Sequence, residues 1–225
     1  MDYKELVKNC AELSELIEAS GKCLEVMSYT EHGYRHAGFV AGTTERILKS
    51  LGYDEKTCVL GFVAGYLHDI GNTVNRYTHG ITGACLVYPI LKGLDFEFAD
   101  INTIIAAIGN HEEEIGTPVN PVSAALIIAD KSDAHRTRVH MESYDPNDIH
   151  DRVNFSIKRN IISVNSKRKI ISSRFYMNNS SSVMEYFEIY LSRIAMSEKA
   201  ARMLNCSFRL YINDVLINSP KAIDK

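Results

Sequence analysis

The residues best suited to chemistry in this sequence are histidines and acids placed beside apolar, helix-like segments. The clearest case is the adjacent pair His68 and Asp69, which closes the apolar run of residues 59–67 and is followed at once by Ile-Gly. Burying an imidazole and a carboxylate at the end of an apolar helix costs free energy unless something pairs with them. A divalent metal is the simplest such partner, so the pair predicts a metal site with further ligands elsewhere in the chain.

The other candidate ligands also lie at the ends of predicted helices. Helix ends in a bundle can converge on one cavity, and facing helices are where bundles hold metals. Mixed imidazole and carboxylate ligands suit Fe, Mn, Zn, Co, Ni or Mg, so the ligand types do not identify the metal. A carboxylate such as that of Asp69 can also bridge two metals, about 3.5–4 Å apart in two-metal sites. The predicted ligands are His36, His68, Asp69, His79, His111 and Asp130.

The elements that must position these residues are mostly helices. Apolar residues at helical spacing predict helices over residues 2–20, 34–51, 55–69, 79–91, 101–110 and 122–134. The third of these is apolar nearly all round, which predicts a place at the centre of the domain.

After about residue 140 the pattern changes to two strand-like runs, 153–164 and 169–177, then a helix over 183–204 and a strand-like run over 206–217. We therefore predict a mainly α fold, a helical bundle over 1–140, with a small C-terminal α+β appendage over 141–225. The appendage is expected to contain antiparallel strands and one long helix.

Composition excludes several classes of protein. The 225-residue chain has 24% charged and 45% hydrophobic residues, which is typical of a folded globular protein. Its net charge of −3 gives no argument for a nucleic-acid partner. No segment approaches the roughly 20 apolar residues of a membrane span, and no signal peptide is evident. The five cysteines are scattered without a CxxC pair, so we expect reduced core residues and a cytoplasmic protein.

The predicted ligands, taken in their order along the chain, resemble the motif residues of a known protein family. His36, then His68-Asp69, then Asp130 resembles the HD-domain metal-dependent phosphohydrolase superfamily over roughly residues 20–140. The flanking segments 33–37, 67–71 and 129–133 are similar to the family's motifs. The resemblance implies that one metal takes His36, His68, Asp69 and Asp130. It implies that a second metal takes the bridging Asp69 with His79 and His111.

The resemblance also implies metal-assisted hydrolysis, in which a metal acidifies a water and offsets charge on phosphoryl oxygens. Asp69 is then a catalytic ligand, and Glu112 or Asp133 is expected to move a proton or to orient a ligand histidine. Asn72 stands where many members of the family carry a Lys that contacts substrate phosphate. We therefore expect the substrate of this chain to differ from the substrates of those members. The cations expected near the phosphate are Arg35, Lys131, Arg136 and Arg138.

The predicted function is therefore a metal-dependent hydrolase that cleaves a phosphoester or phosphoanhydride of a nucleotide or another small phosphorylated molecule. One alternative is a regulatory or ligand-binding HD module in which metal stabilises the fold and turnover is small. Another is redox chemistry at a di-iron centre. The expected partner is the small phosphorylated substrate, with neither membrane nor nucleic acid. Three roles stay open for the C-terminal appendage: it mediates homodimerisation, shapes the pocket or binds a ligand.

Overall fold

The fold is known from a computed structural model that describes residues 2–218. Residue 1 of the predicted helical domain and residues 219–225 of the predicted appendage lie outside the described residues. Short 3-10 turns lie at Ile70–Thr73 and Arg136–Arg138. The helices and strands are α1 Tyr3–Asn9, α2 Ala11–Val26, α3 Tyr34–Leu51, α4 Glu55–Leu67, α5 His79–Gly93, α6 Phe98–Gly109, α7 Pro121–Lys131, α8 Ile149–Ser156, β1 Ile157–Asn165, β2 Ile170–Met177, α9 Val183–Met203, β3 Ser207–Ile212 and β4 Val215–Leu216.

The predicted class, a mainly α bundle with a small C-terminal α+β appendage, is confirmed. Helix α3 has the predicted bounds and ends at Gly52, whose positive φ of 88° suits glycine. The predicted single helix over 2–20 is wrong, because Cys10 is extended and separates α1 from α2. The break lets both helices bury apolar residues, Val7 from α1 and Leu13 from α2.

Helices α4 and α7 lie at the centre of the bundle. As predicted from its apolar surface, α4 packs against several helices, namely α1, α3, α6 and α7. Every residue of α7 from Val122 to Ala129 is buried. Helix α3 approaches α4 closely, because a Cβ on Gly65 would lie 2.8 Å from Cα of Ala41. This close contact places the start of α3 beside the end of α4.

The sheet of the appendage is mixed, which corrects the expectation of antiparallel strands. Its order is β1-β2-β3-β4, and β1–β2 and β3–β4 are antiparallel, but β2 and β3 pair in parallel. Parallel neighbours need a crossover connection, and the long helix α9 supplies it between β2 and β3. The first strand also begins later than predicted, since Val153 belongs to α8.

Helix α9 joins the appendage to the bundle by packing against both α7 and β3. Buried apolar residues of the two regions belong to one continuous cluster, which includes Leu126 of α7 and Ile194 of α9. The division of the chain at residue 140 stays a prediction. None of the helices within residues 2–218 has the length and apolar character needed to cross a membrane.

Candidate metal centre

Four histidines reach one point from four helix ends. His36 lies in the first turn of α3, and His68 directly follows the last residue of α4. His79 is the first residue of α5, and His111 follows the end of α6 by two residues. All four side chains are buried. The structure thus brings together histidines that are widely separated in the sequence, as expected for helices that converge at one end.

Each of these histidines directs Nδ1 outward, to a partner outside the cluster. His68 donates from Nδ1 to the carbonyl of Gly65 at 2.9 Å, and His111 donates to the carbonyl of Ile108 at 2.6 Å. Nδ1 of His36 donates to Oδ2 of Asp133 at 2.6 Å, and Nδ1 of His79 lies 3.0 Å from the carbonyl of Arg76. Such partners fix the ring orientation of metal-binding histidines and leave Nε2 available.

The Nε2 atoms face inward and meet in two pairs. Nε2 of His36 lies 3.2 Å from Nε2 of His68, and Nε2 of His79 lies 3.0 Å from Nε2 of His111. When Nδ1 carries the proton, Nε2 presents a lone pair. Two facing lone pairs at this distance repel each other unless a proton or a cation lies between them. Each pair is therefore a place for a positive charge.

Asp69 lies between the two histidine pairs. Its Oδ2 atom is 3.4 Å from Nε2 of both His36 and His68. Its Oδ1 atom is 3.2 Å from Nε2 of His79 and 3.7 Å from Nε2 of His111. Oδ2 is buried and makes no hydrogen bond within the part of the chain that the structure describes. A buried carboxylate oxygen in this state is costly, so a cation is the partner that its surroundings fit.

Asp130, in the last turn of α7, completes the first half of the cluster, which contains His36 and His68; the second half contains His79 and His111. Its Oδ1 atom is 3.4 Å from Nε2 of His36 and 3.7 Å from Nε2 of His68. Its Oδ2 atom accepts from Nζ of the buried Lys131 at 2.8 Å. Donor atoms of His36, His68 and Asp130, and likewise those of His68, Asp69 and His111, are close enough to hold a metal ion.

The carboxylates shift the pKa values of the histidines they touch. Burial lowers the pKa of His36, but contacts with Asp130, Asp133 and Asp69 outweigh burial and raise it to about 10. Burial likewise opposes a raised pKa at His79, where Asp69 and Glu112 raise it to about 9. The pKa of Asp69 stays well below its ordinary value despite burial, chiefly because of His68. The centre therefore favours positive charge on His36 and His79 and negative charge on Asp69.

A family comparison agrees with this geometry. The model described as HD domain matches residues 33–137, a segment that contains all six predicted ligands. Residues 33–137 form an HD domain. The resemblance to the HD-domain phosphohydrolase superfamily is thereby confirmed. The chain is also similar to an uncharacterized protein, MJ1020, of Methanocaldococcus jannaschii. That protein is 26% identical, and the alignment covers 88% of this chain and 84% of MJ1020.

Two acids support the histidines of the HD domain from outside the cluster. Asp133 accepts from Nδ1 of His36 and also binds Arg35 in a two-point contact, with distances of 2.6 and 3.2 Å. Glu112 places Oε2 3.1 Å from Nδ1 of His79 and accepts from the backbone N–H of Gly80 at 2.7 Å. Both acids therefore hold a histidine of the cluster in place, Asp133 at His36 and Glu112 at His79.

The predicted substrate-binding residues fall in different places. Asn72 is buried and donates from Nδ2 to both the carbonyl and Oδ1 of Asp69, at 2.9 and 3.2 Å. Lys131 lies beside Asp130. The guanidinium of Arg136 lies over the ring of Phe155 and donates to the Phe155 carbonyl at 3.1 Å, so its contacts are with α8.

Sequence reasoning missed three charged residues around the HD domain's centre. Glu113 lies in a run of three glutamates that gives no sign of a buried partner, yet it binds Lys131 at 2.5 Å and Arg193 of α9 at 3.0 Å. No local signal connects Arg193 to the motif. Arg76 lies against His79, and its position four residues after Asn72 was the signal that could have identified it.

Proposed function

We propose that this protein is a metal-dependent phosphohydrolase that cleaves a phosphoester or phosphoanhydride of a nucleotide or another small phosphorylated molecule. The observation that carries the proposal is the placement of Asp69 between two pairs of inward-facing Nε2 atoms. This arrangement provides two adjoining places for a cation that share one carboxylate. Paired cations of this kind suit the displacement of a leaving oxygen from phosphorus.

The ligands divide into two sets that share Asp69. We assign His36, His68, Asp130 and Oδ2 of Asp69 to one divalent metal. Asp69, His79 and His111 would hold the second metal. These donors fit Fe, Mn, Zn, Co, Ni or Mg. When bound, the metals acidify a water molecule and offset negative charge on the phosphoryl oxygens.

The remaining polar residues hold the ligands in their working orientation. Asp133 accepts the Nδ1 proton of His36 and so directs Nε2 inward. Glu112 does the same for His79 and ties the first turn of α5 to the end of α6 through Gly80. We therefore assign Glu112 and Asp133 to positioning, and we assign proton transfer to neither of them. Asn72 fixes the Asp69 carboxylate through Oδ1.

A metal-stabilised regulatory module with little turnover is a second candidate function. It is favoured by the series of ion pairs from Asp130 through Lys131 and Glu113 to Arg193, because these contacts link the centre to helix α9 of the appendage. In that case the metal would be retained, and binding of a ligand or partner at the appendage would change the position of Asp130 without hydrolysis. Homodimerisation through the appendage and a cytoplasmic location remain proposals.

Metal content and hydrolysis, measured on the same samples, test the proposal. The purified protein, loaded with Mn²⁺, is assayed against bis(4-nitrophenyl) phosphate, 4-nitrophenyl phosphate and a series of nucleotides. Asp69→Ala should abolish both metal retention and hydrolysis, whereas Glu15→Ala, at an exposed position of α2, should change neither. Metal retention by the wild type without hydrolysis of any substrate in the series would overturn the hydrolase and favour the regulatory module.

A further inference from the structure

Most of the cations near the metal centre are already bound to protein oxygen atoms. Arg35 is held by Asp133 and by Glu31, at 2.6 and 2.7 Å. The guanidinium of Arg138 donates to backbone carbonyls, including that of Asp133 at 2.9 Å. Lys131 is likewise held between Asp130 and Glu113. A phosphate would have to displace a buried carboxylate or carbonyl to reach any of these side chains, which costs free energy.

Arg76 is the exception among these cations. Its Nη1 atom lies 3.2 Å from Nε2 of His79 and 3.3 Å from Oδ1 of Asn72. Within residues 2–218, no carboxylate oxygen lies within 4.0 Å of its guanidinium nitrogens. The guanidinium therefore lies beside His79 and Asn72 without a carboxylate partner among the described residues. Its planar fork suits a phosphoryl group, which it can bind through two parallel hydrogen bonds.

A cleft of about 840 Å³ opens beside Arg76. The cleft is lined in part by Asn72, which donates to the Asp69 carboxylate, so Asn72 connects the wall of the cleft to the metal centre. The Tyr29 ring lies under the guanidinium of Arg76, with 5.4 Å between the guanidinium carbon and the ring centroid. Apolar and aromatic side chains around the opening are exposed; they are Val26, Met27, Tyr29, Val74 and Tyr77.

We propose that Arg76 binds the phosphoryl group of the substrate and that the cleft beside it, which we name the Tyr29 cleft, receives an aromatic or apolar group attached to that phosphoryl group. The proposal rests on the proposed function, because it places the phosphorus at the metal centre. It narrows the substrate class to phosphorylated molecules with an aromatic or apolar substituent, such as a nucleobase or a phenyl ring. An exposed tyrosine beside a cation offers such a ring a face on which to stack.

Two phosphonates that cannot be hydrolysed separate the two parts of the proposal. Phenylphosphonate and methylphosphonate carry the same anionic group and differ in the aromatic ring. Binding of each to the Mn²⁺-loaded protein is measured by calorimetry, and bound metal is counted for every variant. The wild type should bind phenylphosphonate more tightly. Arg76→Ala should weaken both ligands by about tenfold or more, since it removes a charged hydrogen-bond donor. Arg76→Lys should recover part of that loss.

Tyr29→Ala should reduce the preference for phenylphosphonate by about threefold or more and leave metal content unchanged. Arg168→Ala, at an exposed position between β1 and β2, is the matched control and should bind both ligands as the wild type does. The proposal is overturned if the wild type binds neither phosphonate, or if Arg76→Ala binds both within about twofold of the wild type.

These results are independent of hydrolysis. Binding that depends on Arg76, in a protein that hydrolyses nothing, would support the role of Arg76 and overturn the hydrolase. Hydrolysis of the nucleotide series with an unchanged KM in Arg76→Ala would support the hydrolase and overturn the role of Arg76.

Discussion

Oxygen Oδ1 of Asp69 lies 3.2 Å from Nε2 of His79. The other oxygen of the same carboxylate lies 3.4 Å from Nε2 of His36, so one side chain serves two sets of ligands. Asp69→Asn should therefore empty both halves of the centre, because a neutral amide cannot bridge two cations. Asp130→Asn should empty only the half that contains His36. Metal analysis of both variants checks this, and retention of metal by Asp69→Asn would contradict the bridging role.

Metal binding should release protons from the centre. Carboxylates raise the pKa of His36 to about 10 and that of His79 to about 9, so both rings carry an extra proton at neutral pH in the metal-free protein. Burial lowers the pKa of His111 to about 4, so this ring is already neutral. A metal at Nε2 displaces the proton, and we expect about two protons released on full loading at pH 7.

Apparent metal affinity should accordingly rise with pH up to about pH 9 in the half that contains His79 and up to about pH 10 in the half that contains His36. Calorimetric titration with Mn²⁺ in buffers of different ionisation enthalpy measures proton release directly. Heats that do not depend on the buffer would show that no proton is exchanged and would contradict the charge state assigned to these two histidines.

Glu113 should stabilise the fold only when it is ionised. Burial raises its pKa, but Lys131 and Arg193 outweigh burial and lower it from 4.5 to about 2. Because the folded-state pKa is the lower one, the stabilisation is full above about pH 4.5 and is lost as the pH falls towards 2. Glu113→Gln should lower the free energy of unfolding by roughly 3 kcal/mol at pH 7, since it removes one carboxylate partner from the buried Lys131 and from the partly buried Arg193.

Urea unfolding at pH 7 and near pH 2 measures this difference, which should shrink at the lower pH. The neighbouring Glu114 is exposed, so Glu114→Gln is the matched control and should match the wild type at both pH values. A constant difference between wild type and Glu113→Gln at both pH values would contradict the ion-pair account.

Gly71 should be essential for the position of His79. A Cβ on Gly71 would lie 1.9 Å from the carbonyl oxygen of His79 and 2.5 Å from the backbone nitrogen of Gly83, so α5 would have to move. Gly71→Ala should destabilise the fold by about 2 kcal/mol or more and displace the second half of the centre. Gly38 in α3 has open space around it, so Gly38→Ala should be neutral or stabilising. Thermal unfolding and metal analysis of both variants measure this difference. Equal stability and metal content in Gly71→Ala and Gly38→Ala would contradict the close contact of Gly71 with α5.

The sequence predicted the bundle well because its signals are local. The spacing of apolar residues predicted the bounds of α3. The same periodicity placed His68 at the end of a helix and His111 just after one, although α4 ends at Leu67, two residues earlier than predicted. The parallel pairing of β2 with β3 was missed, because strand alternation reveals which residues are buried but leaves the direction of the neighbouring strand open.

Contacts around the centre that join distant parts of the chain were not predictable. Arg193 meets Glu113 across 80 positions of sequence, and only the packing of α9 on α7 brings them together. Glu113 itself lies in a run of three glutamates, a composition typical of a solvent-exposed helix end. Composition of a run indicates exposure on average, but it carries no information about a partner that comes from another helix.

The number of metal ions per chain tests the two-metal centre most directly. Elemental analysis of the purified, Mn²⁺-loaded protein should give about two ions per chain for the wild type. His111→Ala should retain about one, because it removes a ligand from the second half alone. One ion in the wild type, with the same content in His111→Ala, would contradict the assignment of His79 and His111 to a second metal.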